Sequence, residues 1–268
     1  MTKNDVLFLN AWFEQFTNCF TSEDPEVAAN IRYKREHSFR VRDYMLMIGR
    51  DLQLPKNQMI LAEVIGLLHD VGRFEQYSKY HTFKDHLSED HAMLGLLTLE
   101  REKILNDRTN ESEKEIISSA IRNHNQRVIE ENLSDVTLMF CRLIRDADKL
   151  DIFEQIISFY ENPSKTPYLA VETNSEDTRY STNIIESILN GKQISYTTVK
   201  NPLDIKLIRL SWLLDLSFPI SLKIAQSKQY FERFKVFIPT TEDTRQVFNY
   251  IEQRVFQKLS VLSEKVKP

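Results

Sequence analysis

Glycine and proline are scarce, with five and eight in 268 residues. Turn-rich β sandwiches and glycine-dependent dinucleotide folds need more of both, so a helical architecture is favoured. Cysteine is scarcer still. Cys19 and Cys141 lie far apart and without a paired-motif spacing, which argues against a disulfide framework and for reduced, packed thiols. No apolar run reaches the roughly 18 residues of a membrane span, and the polar start from Met1 to Asp5 lacks the layout of a signal peptide. A cytoplasmic protein with no membrane partner is expected. Positive charge is not in excess either: 35 Lys and Arg stand against 39 Asp and Glu, a net charge of −4. Stable binding of duplex nucleic acid needs a dense basic surface and is not expected, although a local basic pocket is compatible with this balance. The sequence does have 41% hydrophobic and 28% charged residues, the mixture of an ordinary soluble globular chain. Its length fits one large domain, or a core with an extension, with enough apolar residues for a full core.

Helical periodicity supplies most of the organisation. Leu9, Trp12, Phe13 and Phe16 recur at helical spacing, and Val41, Tyr44 and Ile48 share one face of a second helix with His37 one turn before them. After Pro55, the apolar run from Met59 to Leu68 predicts a buried helix ending at Gly72 as a C-terminal cap, with His69 and Asp70 at its end. Arg73 to Asp90 is polar and without a clean period, which predicts a long loop whose Lys79, His81, Lys84 and His86 are candidates to line a substrate entrance. A helix is expected from about His91 to Ile104. Ser112 with Glu115 has capping-box spacing and opens a helix carrying Ile117, Ile121 and His124 on one face. Ser134 is the expected N-cap of a long helix with Leu138, Cys141, Ile144, Asp148, Ile152 and Phe159 on one stripe. The stretch from Glu161 to Tyr180, with Pro163 and Pro167, reads as a loop and divides a core at 1–160 from a helical extension at 161–268. In that extension a short helix around Asn183–Leu189 is closed by Gly191. Helices are predicted for Pro202–Asp215, Pro219–Phe234 and Glu242–Glu264, the last with Phe248, Ile251, Val255, Leu259 and Leu262 aligned, and the extension is expected to pack on the core.

His37, His69, Asp70, His91, His124 and Asp148 are thus imidazoles and carboxylates on inward helix faces or at helix ends. Any one of them alone is more often a hydrogen-bonded core group, because burying it unpaired costs on the order of 1 to 3 kcal/mol. Six independently satisfied polar core groups are a less economical arrangement than six that converge on cations.

At these positions the sequence resembles the HD superfamily of metal-dependent phosphohydrolases, whose pattern is a His, a His-Asp pair and a distal Asp on a bundle of helices. The first His is His37 in His37-Ser38-Phe39-Arg40-Val41. The pair is His69-Asp70 in Leu68-His69-Asp70-Val71-Gly72-Arg73, and the distal Asp is Asp148 in Asp146-Ala147-Asp148-Lys149-Leu150-Asp151. The resemblance covers about Ile31 to Tyr160 and implies an all-α, HD-domain-like helical bundle, here with a C-terminal helical extension. Two-metal members carry further histidines between the pair and the distal Asp, where His91 and His124 stand. The resemblance therefore implies two divalent ions, with Asp70 bridging, His37, His69 and Asp148 completing one site, and His91 and His124 holding the other.

A mixed nitrogen and oxygen donor set suits Mn, Fe, Co, Ni or Zn better than an all-oxygen Mg or Ca cage. Paired ions would generate hydroxide near neutral pH and offset charge on phosphoryl oxygens, with Asp70 and Arg73 as the catalytic groups. Arg73, Arg40 and Lys149, close in sequence to the ligand candidates, are the expected contacts to substrate phosphate. Asp151 is a candidate supporting residue behind the ligands, and Cys141 reads as packing. Motifs of the guanosine tetraphosphate hydrolases, the small deoxynucleotidases and the cyclic-di-GMP phosphodiesterases are missing around the pair. Hydrolysis of a phosphate ester in a nucleotide or another small phosphorylated metabolite remains, monoester or diester, with oligomeric state open. The alternatives are a non-catalytic nucleotide- or partner-binding module of the same fold and a di-iron oxygenase.

Overall fold

A computed structural model describes residues 1–163, 180–192, 194 and 199–264, and every element among them is helical, with no strand. These residues form two compact units, Met1–Asp151 and Ile152–Pro268. Their division falls inside one long helix.

In the first unit, α1 (Lys3–Asn18) opens with a Thr2–Asp5 capping box, and its Leu9 and Phe13 are buried. Helix α2 (Pro25–Asp51) starts from an Asp24 cap with Pro25 at its first position, where a missing N–H costs nothing. Its buried stripe runs Ile31, Lys34, His37, Val41, Met45 and Ile48, so helical spacing places two polar groups in line with the core. Helix α3 (Lys56–Leu68) is apolar on nearly all sides and packs against α1, α2 and α6 (Glu111–His124). The unit is completed by α4 (Gly72–Tyr80), a 3₁₀ turn at Asp85–Leu87, α5 (His91–Arg101) and the first part of α7 (Asp135–Glu161).

The helical class and most elements agree with the sequence, but three local expectations in this unit do not. Much of the expected loop from Arg73 to Asp90 is helix, because α4 spans Gly72–Tyr80 with Phe74 and Tyr77 buried. Gly72 consequently does not cap α3; it starts α4. A Cβ there would lie 2.2 Å from the His91 carbonyl oxygen and 2.5 Å from the Gly95 nitrogen, so its missing side chain is what lets α4 meet α5. The helix expected to open at Ser112 and Glu115 begins two residues earlier, with a capping box from Asn110 and Glu113. Ser134 does act at the start of α7, where its Oγ accepts from the Thr137 N–H at 3.1 Å.

The second unit contains the rest of α7, α8 (Thr182–Leu189), α9 (Pro202–Ser211) running into a 3₁₀ turn at Trp212–Asp215, α10 (Pro219–Ser227), α11 (Tyr230–Lys235) and α12 (Glu242–Glu264). Gly191, with φ +62°, follows α8 in the left-handed region that glycine adopts without strain. The single helix expected over Pro219–Phe234 is broken, because Gln229 is left-handed at φ 55°. Phe153, Ile184, Leu207, Leu222, Tyr230, Phe234 and Ile251 are among the residues of the unit's core, with Phe153 stacked on Tyr230. Asp204, fully buried, accepts from the backbone N–H and hydroxyl of Ser181 and from the Lys200 N–H. Residues 164–179 of the expected Glu161–Tyr180 loop, Pro167 among them, and the side chain of Leu262 lie outside the described residues. No helix among the described residues is long and apolar enough to cross a membrane.

Candidate metal centre

Five stretches of chain bring the six candidate ligands together inside the first unit. His37 comes from the middle of α2, His69 and Asp70 from the turn between α3 and α4, His91 from the first position of α5, His124 from the last position of α6, and Asp148 from α7. His37, His69, Asp70, His91 and His124 are all buried, and Asp148 is partly exposed. Two groups of side chains each place one ligand atom per residue within 4.8 Å of the others: His37, His69 and Asp70, and then Asp70, His91 and His124. Asp70 belongs to both. Its Oδ2 stands 3.4 Å from His37 Nε2 and 3.8 Å from His69 Nε2, while its Oδ1 stands 3.3 Å from His91 Nε2 and 3.6 Å from His124 Nε2. Asp148 Oδ1 lies 3.1 Å from His37 Nε2 and 3.9 Å from His69 Nε2.

The ring nitrogens turned away from this centre are all occupied. His37 Nδ1 is 2.7 Å from Asp151 Oδ2, His69 Nδ1 is 2.9 Å from the Gly66 carbonyl, His91 Nδ1 is 2.7 Å from Asp85 Oδ2, and His124 Nδ1 is 2.7 Å from the Ile121 carbonyl. Carbonyls and carboxylates only accept, so Nδ1 carries the hydrogen in each ring and the neutral ring presents an Nε2 lone pair inward. His37 Nε2 and His69 Nε2 are buried without a hydrogen-bond partner. His91 Nε2 and His124 Nε2 face each other at 2.9 Å, a contact that opposes two lone pairs unless positive charge sits by them. The donor set therefore fits divalent transition ions, whose bonds would remove four lone pairs from need of another partner.

Charge around the centre follows the same logic. Burial disfavours the His69 imidazolium and takes its pKa down to about 3 despite the nearby Asp70, so the ring is neutral at ordinary pH. Burial works against ionisation of Asp70 too, but the groups around it, the Lys34 ammonium foremost, outweigh it and hold the carboxyl well below the carboxylate range. Burial and Lys34 push His37 down, and Asp148 and Asp151 more than reverse this. Those two carboxylates favour positive charge beside His37, whether a proton or a cation supplies it.

Several residues around the centre were not singled out in the sequence. Lys34, one turn before His37 on the buried stripe of α2, places its ammonium 2.8 Å from Asp70 Oδ2. Only its helical spacing from His37 signals it, since lysine is usually solvated. Asp85 and the fully buried Gln76 sit behind His91. Arg73 gives Nη1 to Gln76, to the Phe83 carbonyl and to Asp85, with its Nε 3.5 Å from Asp70 Oδ1. Arg40 spends Nε and Nη2 on Asp151 at 2.6 and 3.1 Å. Lys149 is half-buried next to Asp148, and Cys141 is buried in the core. Lys79, His81, Lys84 and His86 are exposed, Lys79 pairing with Glu89 at 2.7 Å. A third close set, Asp85, Asp90 and His91, has a structural account: Asp90 caps α5 through the Ala92 and Met93 N–H groups and accepts from Asn125 and Gln126.

Residues 35–152 match the family model described as HD domain. No curated protein and no solved structure matches the chain.

Proposed function

From a chain that contains an HD domain over residues 35–152, the domain of a family of metal-dependent hydrolases, we propose that it is a phosphohydrolase. It cleaves a phosphate ester of a nucleotide or another small phosphorylated metabolite. The observation that carries this reading is the set of four histidines whose Nδ1 atoms are all taken while their Nε2 atoms converge on the two oxygens of Asp70. His37, His69, Asp70 and Asp148 would hold one ion, and Asp70, His91 and His124 a second.

Such ions, when bound, activate water and offset charge on phosphoryl oxygens. The chain's own residues do the rest. Asp70 offers one oxygen to each half of the centre. The buried walls of α2, α3 and α6 limit access of bulk water, which strengthens every charge interaction within. Arg73, with Nη1 fixed by three acceptors, has its remaining guanidinium N–H groups for a phosphate oxygen, and Lys149 beside Asp148 is the second cation assigned to substrate. Arg40, committed to Asp151, is assigned to positioning.

The test is a panel of nucleotides, cyclic nucleotides and sugar phosphates incubated with the purified protein and Mn²⁺, Co²⁺ or Ni²⁺. Phosphate or nucleoside phosphate should be released, the release should stop with a chelator, and added metal should restore it. An occupied metal centre with no hydrolysis across the panel would overturn the reading. Oxygen uptake would then separate a di-iron oxygenase from a binding module.

A further inference from the structure

The four histidines are held from behind in two different ways. His69 and His124 bond backbone carbonyls three residues earlier in their own chain segments, at 2.9 and 2.7 Å. His37 and His91 bond carboxylates, Asp151 at 2.7 Å and Asp85 at 2.7 and 2.9 Å. Each of these carboxylates is gripped by an arginine. Arg40 holds Asp151 with Nε and Nη2, and Arg73 holds Asp85 with Nη1 at 2.8 Å, aided by Gln76 Nε2 at 2.8 Å. Helical spacing makes both grips. His37 and Arg40, three apart on α2, reach the same Asp151, and Arg73 and Gln76, three apart on α4, reach the same Asp85.

The pairs are distributed evenly about Asp70. On its Oδ2 side stand His37, backed by a carboxylate, and His69, backed by a carbonyl. On its Oδ1 side stand His91, backed by a carboxylate, and His124, backed by a carbonyl. A carboxylate accepts the Nδ1–H more strongly than a carbonyl and makes Nε2 the better donor. A carboxylate withdrawn from water, fully for Asp151 and in part for Asp85, in turn needs its other lone pairs satisfied and its charge offset, which the arginines do.

We propose that Asp85 and Asp151 are positioning residues, each fixing the tautomer and donor strength of one histidine. Arg73 and Arg40 hold them in place, so that the two halves of the centre are built to one plan and tuned separately. The inference rests on the metal-binding reading of the site.

The test uses the full chain with Asp85→Ala, Asp151→Ala and the corresponding Asn variants. Each is titrated with Co²⁺ followed by the visible absorption of the ion, and the imidazole nitrogens are observed by ¹⁵N NMR before metal is added. Asp85→Ala should weaken one Co²⁺ binding step by about 10- to 100-fold and leave the other, and Asp151→Ala should weaken the other step. Before metal is added, His91 alone should lose its fixed Nδ1–H form in the first variant and His37 alone in the second. Asn keeps an acceptor oxygen at nearly the same volume, so it should recover part of each loss and serves as the test where an Ala variant does not fold. Equal weakening of both steps by either substitution, or Co²⁺ affinities and tautomers unchanged from wild type, would overturn the inference alone. A wild-type protein that binds no Co²⁺ would overturn the metal reading and this inference with it.

Discussion

Asp70 is the residue on which the two halves of the centre meet, because its two oxygens face different pairs of histidines. Asp70→Ala is expected to remove both ions, while His124→Ala should deplete mainly one. Elemental analysis of the dialysed proteins checks this, and equal partial loss in the two variants would contradict a shared carboxylate. Lys34 sets a second expectation. Its ammonium is the nearest full positive charge to a carboxylate that is 2% exposed, and removing one partner of a buried pair leaves the other uncompensated. Lys34→Met should therefore destabilise the metal-free protein by about 3 kcal/mol, measured by urea unfolding in chelator. The loss should shrink when metal is restored, since cations then supply the missing charge. An unchanged midpoint in chelator would show that Asp70 draws its compensation from elsewhere.

At the scale of elements, the approach of α4 to α5 depends on a missing side chain. In Gly72→Ala the new methyl would meet the His91 carbonyl and the Gly95 backbone, neither of which can rotate away. A loss of about 1 to 3 kcal/mol or more is expected from such overpacking, together with displaced His91 and weaker metal binding. Thermal melting and Co²⁺ titration read the two effects, and a variant with wild-type melting and affinity would show that the helices separate at no cost. The same element shows where sequence pattern stopped being informative. Helices α1, α2, α3, α6 and α7 were legible because each has an apolar stripe at helical spacing, and His37, His124 and Asp148 stood out as polar groups on those stripes. Helix α4 was not, since a glycine, a buried Gln76 and Arg73 interrupt the period that Phe74 and Tyr77 would otherwise have announced. Asp85 was lost with it, lying in what reads as a polar loop. The start of α6 was offset because Asn110–Glu113 and Ser112–Glu115 offer the same capping spacing in two overlapping registers, and local sequence does not rank them.

For the whole molecule, every group of the candidate centre and its supports, from Lys34 to Asp151, belongs to the first unit. Metal removal should thus act unevenly along the chain. Chelation is expected to lower the stability of that unit by about 2.7 kcal/mol for each ion, relative to protein with free metal at a hundred times the dissociation constant. Hydrogen exchange should show faster exchange in α2, α3, α5 and α6 with little change in α8 to α12, and a uniform response, or none, would count against the centre as the source of that stability. The spread of the ligands has a consequence in time as well. His37 and Asp151 are 114 residues apart, whereas each helix closes its own hydrogen bonds within a few residues, and distant contacts form more slowly than local ones. On a ribosome, α2 and its histidine emerge long before α7 brings Asp148 and Asp151. Until then the nascent chain displays several imidazoles and carboxylates with incomplete coordination, open to ions in wrong combinations. Refolding with excess Zn²⁺ present from the start should accordingly be slower than refolding in chelator followed by metal, with the delay vanishing when the ion is added last.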